Sequence, residues 1–359
     1  MPREEFHDKP YDEGTLTKLR IFELYVQEWL PVFLSQPDPP FEELHIFDFF
    51  AGPGMDANGV LGSPLRILRK LQDYQKSTLA GWGAVRKAAH FFDLDATKIE
   101  ALQNTIASES LEVPGVDLDL KPREFSAALQ AFQATLENPR AAKLLIIDQF
   151  GVDAVSDAVF LQLTSLPTTD FIFFLSSSTL HRFREHPSIK QKIANIDDSY
   201  HVHRAAFDYY KKLVPRQDEV FLGQFSIRKR SNIYGLIFGS QHPLGIHKFL
   251  QVAWKNDQIA GEANFDVERE NIGSNELLLG FEEMKPRKIQ SFEKALAEAV
   301  RAQLFCNEAD IIKFCIEGGM TAQHAAPVIA QLKKEKVIAA DFRVPNVRNT
   351  KTPRPITYP

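Results

Sequence analysis

Cysteine is almost absent from the chain, which has two in 359 residues, Cys306 and Cys315. Nine helical steps of ~100° would set them on opposite faces of one helix, so no disulfide is expected and both read as core residues. No Cys/His cluster with zinc spacing accompanies them, which argues against a metal site. No apolar run approaches ~18 residues, which excludes a spanning helix. The start, Met-Pro-Arg-Glu-Glu-Phe-His-Asp, lacks the basic and apolar segments of a signal peptide. A soluble, cytoplasmic protein with no membrane role is expected. No strong excess of either charge is present: a net charge of −5 excludes coating nucleic acid by bulk charge and leaves room for a local basic patch.

Phenylalanine, by contrast, is abundant, with 28 copies in a chain that is 44% hydrophobic, as a packed interior requires. The length exceeds the ~100–200 residues of one domain, so a large domain with a smaller appendage is expected. Helical spacing of Leu19, Phe22, Val26, Trp29, Leu30 and Phe33 predicts a helix capped by Thr15. The Pro-rich stretch 36–40 ends this extension, residues 1–40. Strands are predicted at 45–50, 87–92, 143–148 and 171–175, alternating with helices near 64–75, 97–108, 122–136 and 155–164. That rhythm predicts an α/β fold with a mostly parallel sheet. The segment 225–238 reads as a hairpin turning at Arg230-Ser-Asn232. From about Lys288, helices near 291–304, 308–317 and 321–335 lead into a strand at 337–344. Pro327 threatens to split the third of these helices.

Three strand ends carry the chemistry. At the first, Asp48-Phe-Phe-Ala-Gly-Pro-Gly54 places Ala51, Gly52 and Gly54 in a tight turn, where backbone N–H groups can approach a ligand. Asp48 can hold a ribose hydroxyl or an amino group. The GxGxxG dinucleotide fingerprint is absent. At the second, Phe91-Phe-Asp-Leu-Asp95 offers Asp93 for both ribose hydroxyls, with Asp95 as ligand or helix cap. Asp117 and Asp119 either border an adenine pocket or sit in a surface turn. At the third, Asp148-Gln-Phe150 ends a strand. There a carboxylate (Asp148) can orient a target group and an aromatic (Phe150) can stack on a planar base. Gln149 stands where enzymes that methylate amino groups carry proline. His201 and His203 alternate in an extended stretch and read as structural.

Taken together, the Thr17-Lys-Leu, Tyr25 and Trp29 helix, Phe50-Ala-Gly-Pro-Gly54 with Gly62-Ser-Pro64, Ile147-Asp-Gln-Phe-Gly151, and Leu236-Ile-Phe-Gly-Ser-Gln-His-Pro-Leu-Gly245 resemble the three-Cys-motif partner family. That resemblance implies a Rossmann-like methyltransferase domain over 41–287, whose parallel sheet is closed by a late antiparallel hairpin. It also implies S-adenosylmethionine as cofactor and a radical-S-adenosylmethionine-like partner protein. The segment 288–359 is similar to a winged helix. Its tail from Phe342 holds Arg343, Arg348, Lys351 and Arg354 without an acidic residue, compatible with phosphate contacts from 320–359. The implied activity is methyl transfer to nucleic acid; the alternative is a non-catalytic subunit that keeps the fold and serves the partner or a defence complex.

Overall fold

The computed structural model describes residues 9–77, 81–149, 155–176, 202–215, 219–229, 232–265 and 287–359. The chain divides into two compact units, Met1–Gln241 and His242–Pro359.

The first unit opens with helix α1, Glu13–Leu34, which buries Leu19, Phe22, Tyr25, Val26, Trp29 and Leu30. Its cap is Asp12 and not Thr15: the Asp12 carboxylate accepts the Thr15 N–H at 2.9 Å, one turn earlier than the apolar spacing alone placed the start. The strands are β1 (Glu43–Asp48), β2 (Arg86–Asp93), β3 (Val116–Pro122), β4 (Ala141–Ile147), β5 (Thr169–Ser176), β6 (Phe221–Lys229) and β7 (Asn232–Ser240). They form one seven-stranded sheet in the order β3-β2-β1-β4-β5-β7-β6. The pairs among β1 to β5 are parallel, and β7 runs antiparallel to both β5 and β6. This is the expected mostly parallel sheet with its late antiparallel hairpin. Val116–Leu120 is an edge strand and not a turn, its acidic residues alternating with half-buried leucines.

Connecting helices are α2 (Ser63–Ser77), α3 (Ala96–Ser108), α4 (Phe125–Ala131), α5 (Gln133–Leu136), α6 (Asp157–Ser165) and α7 (Val202–Leu213). The segment predicted as one helix over 122–136 is therefore α4 and α5. His203 belongs to α7 and not to an extended stretch, while His201 lies outside the described residues. One face of the sheet packs Phe47, Leu145, Ile147, Phe171, Phe173 and Ile237 against residues of α4 to α7, among them Leu129, Phe160 and Tyr210. On the other face Tyr25 of α1 meets Phe238 edge to face at 4.9 Å. Strands β1 and β4, buried along most of their length, read as apolar runs because both faces are covered.

The second unit contains helices α8 (Pro243–Asn256), α9 (Arg287–Arg301), α10 (Glu308–Glu317) and α11 (Ala322–Lys334), with β8 (Ala339–Ala340) paired antiparallel to β9 (Ile356–Thr357). Trp254, Leu296, Ile311, Ile329, Ile338 and Ile356 share its core. Pro327 does not split α11. It costs one bond, to the carbonyl of Gln323 in the first turn, and both residues are exposed, so water can replace it. The strand predicted over 337–344 shrinks to two residues. Lys333 Nζ donates to the carbonyls of Ala340 and Phe342, and the Arg354 guanidinium to those of Asp341 and Val344, so these acceptors are taken by side chains. Cys315 is buried, whereas Cys306 is exposed, because it precedes α10 and does not lie within a helix.

Candidate cofactor and target site

Parallel pairing brings the ends of β1, β2 and β4 to one edge, with Asp48 opposite Phe91 on one side and Ile146 on the other. Asp48, Asp93 and Asp148 therefore come from three adjacent strands. The order reverses between β1 and β4, and open α/β sheets bind ligands at the carboxyl ends beside such a switch point.

The turn after β1 is held by both neighbours: Phe49 N–H donates to the Ile146 carbonyl and Ala51 N–H to that of Phe92. Gly52 has φ +63 and Gly54 φ +93, conformations that L side chains rarely adopt. At Gly54 a Cβ would also lie 2.8 Å from Leu102 Cδ1. The Gly54 carbonyl accepts the Gly62 N–H at 2.7 Å, which joins the two glycine motifs noted in the sequence. Between them, Asp56 accepts the N–H groups of Asn58, Val60 and Tyr11 and so organises the loop.

Asp93 accepts the Gly52 N–H at 3.1 Å and the Asp95 N–H at 3.0 Å, so it already serves the turn. Asp95 caps α3. Leu94, between them, is 75% exposed. Asp119 pairs with Lys121 at 2.8 Å and approaches His90, and Asp117 is exposed. Asp48 is fully buried. Its Oδ1 accepts the Phe50 N–H at 3.2 Å, and among the described residues its Oδ2 has no hydrogen-bond partner. Burial pushes its pKa up to about 7; the Ser63 hydroxyl and the Phe50 N–H oppose this, and the Asp148 charge adds to it.

Asp148 is held by Lys18 of α1, whose ammonium pairs with Oδ2. Lys18 Nζ also lies 5.0 Å from the centroid of the Phe174 ring. Among the described residues, Asp148 Oδ1 accepts no hydrogen bond. Gln149 is buried and donates from Nε2 to the Phe174 carbonyl at 3.4 Å. Tyr11, just before α1, has its hydroxyl pushed above the usual phenol range by burial, then by Asp56 and Asp148.

The structure thus gathers Asp48, Ala51, Gly52, Gly54, Asp93 and Asp148 at one edge, whereas Phe150 lies outside the described residues. Sequence reasoning missed Lys18, Leu94 and Tyr11. Lys18 carried a usable signal: it stands four residues before Phe22 and seven before Tyr25, a cation in register with an apolar stripe.

No protein-family model and no curated protein matches the chain. Solved structures similar to it include an rRNA methylase from Streptococcus thermophilus, with 9% identity, TM-score 0.32, and 61% of this chain and 92% of that one covered. Another is Trm1 from Pyrococcus horikoshii with S-adenosyl-L-methionine, at 9% identity, TM-score 0.38, with 69% and 60% covered. A third is TYW2 from M. jannaschii in complex with AdoMet, at 10% identity, TM-score 0.30, with 64% and 75% covered.

Proposed function

We propose that the chain binds S-adenosylmethionine at this edge and acts as a methyltransferase on nucleic acid. The observation that carries the reading is Asp48, a fully buried carboxylate at the mouth of the glycine turn whose Oδ2 has no hydrogen-bond partner among the described residues. Such an orphan costs ~1–3 kcal/mol, which a ligand carrying a cation and N–H donors relieves. S-adenosylmethionine carries both on its methionine portion. Asp93 keeps acceptor capacity for ribose hydroxyls beyond the two bonds it makes, and exposed Leu94 beside it offers an apolar face to a purine. Bound there, the cofactor supplies an electrophilic methyl group. Asp148 orients the acceptor, with Phe150 retained as the expected stacking residue.

The nucleic-acid side of the reading rests on residues 287–359, where basic residues outnumber acidic ones despite the negative total. Helices α9, α10 and α11 followed by the β8–β9 ladder have the order of a winged helix. The Asn307–Pro355 bridge adds the short strand expected between the first two helices. On that reading the loop 341–355 is the wing, and Arg343, Arg348 and Lys351, all exposed on it, are its phosphate contacts. Arg354 leaves that group, since its guanidinium is bonded to Glu308.

The second reading, a methyltransferase-fold subunit without activity that serves a three-Cys-motif partner, draws support from Gln149 in the proline position, its amide turned to β5. Methyl transfer from labelled cofactor to mixed RNA and DNA separates the two. Transfer that falls about 100-fold in Asp148→Ala supports the enzyme. Equal background in wild type and variant, with cofactor still bound, supports the silent subunit.

A further inference from the structure

We propose that the acceptor atom at this site is a hydroxyl oxygen, the ribose 2′-hydroxyl of an RNA strand, presented by Lys18 and Asp148 acting as a pair. This rests on the methyltransferase reading above and names its substrate class. The side chains of Lys18 and Asp148 are only 7% and 13% exposed, so the pair is built into the edge and is not a surface contact. Anchoring α1 does not require it: Tyr25 of the same helix donates to Asp170 at 2.6 Å, and Phe22, Val26 and Leu30 are fully buried.

An amine acceptor suits this edge poorly. Its N–H groups need acceptors, and Lys18 offers only donors. Its nitrogen also gains positive charge as the new bond forms, and a second cation held against the carboxylate opposes that charge. A hydroxyl fits both members of the pair. A Lys18 N–H can donate to one oxygen lone pair and fix the other in direction, while Asp148 Oδ1, which accepts nothing among the described residues, faces no competitor for the hydroxyl proton. When bound, the cofactor supplies the methyl: the C–O bond forms as the C–S bond breaks onto sulfur, and the hydroxyl proton passes to Asp148 and then to water. No other reactant is needed. Lys18 is a positioning residue in this scheme, and Asp148 holds the proton.

The full chain is incubated with labelled S-adenosylmethionine and either a pool of RNA oligonucleotides or DNA of matching sequence, which keeps the exocyclic amines and lacks the 2′-hydroxyl. Digested nucleosides are identified by mass spectrometry. The expected result is label on ribose oxygen in RNA and none in DNA, which wild type decides without any variant. Lys18→Met lowers the rate about 100-fold and Lys18→Arg restores part of it. Without cofactor, anisotropy of a labelled strand reads the pair directly. Wild type favours RNA over its 2′-deoxy counterpart by about 5-fold. Lys18→Met, which leaves Asp148 without its cation and so lowers the unfolding midpoint, is read at a temperature where it stays folded and shows no such preference. Label on a base nitrogen overturns the proposal and leaves the methyltransferase reading standing. Cofactor binding without transfer to either polymer overturns it for nucleic acid. Absence of cofactor binding removes the underlying reading, and the proposal with it.

Discussion

The Asp48 carboxyl, with a pKa near 7 against about 3.8 for the free group, binds a proton in the folded state that the unfolded chain has already released between those pH values. Stability therefore falls as pH rises from about 4 to about 7, by an order of a few kcal/mol, and is level above. Asp170, buried and pushed up to about 6, adds a slope of the same sign. His90 and His247, held neutral by burial with pKa values near 4, add the opposite slope below their unfolded value. The informative quantity is thus a difference. Urea unfolding of Asp48→Asn relative to wild type should show no gain at pH 4 and a gain that grows to pH 7; a difference independent of pH contradicts the assignment. Gly54→Ala should lose about 2–4 kcal/mol, because it combines a positive φ with a contact on Leu102. An unchanged unfolding midpoint would show that the turn tolerates a side chain. Asp48, Gly52 and Gly54 were legible because a strand end and its turn are local. The Lys18–Asp148 pair was not, since nothing local relates residues 130 positions apart.

The long buried elements of the sheet were readable as apolar runs, and the late hairpin as two β-rich arms around a polar turn. Edge strand β3 was not, because alternating Asp and Leu with one face in solvent fits a turn equally well. The end of the chain was least legible. Glu308, fully buried at the start of α10, accepts from the Arg354 guanidinium and from the backbone N–H groups of Asn346 and Arg354, stapling the tail to the helix. Against its burial, which raises it, the hydrogen bonds from Arg354 and these backbone groups hold the Glu308 pKa below its usual value. Arg354→Met strands a buried carboxylate and should destabilise the second unit by about 3 kcal/mol. Hydrogen exchange on the full chain checks this: protection at 306–308 and 354–356 should drop while the sheet of the first unit keeps its own. Unchanged exchange would mean that the staple contributes little.

At the scale of the whole molecule, strand order and polarity define a mostly parallel seven-stranded sheet closed by an antiparallel hairpin, and the order reversal between β1 and β4 marks the place of the proposed site. The alternation of strands and helices foretold the class; the order itself came only from the pairing. If the loop 341–355 contacts phosphates, neutralising Arg343, Arg348 and Lys351 together should weaken RNA binding and reduce the slope of log K against log salt by roughly 2–3. A slope equal to that of wild type would remove this loop from the interface. The central claim is tested most directly by calorimetric titration of the full chain with S-adenosylmethionine and with S-adenosylhomocysteine. A site built on Asp48 and the Gly52–Gly54 turn requires saturable one-to-one binding that weakens at least about tenfold in Asp48→Asn. No binding of either compound, with or without RNA, would contradict it.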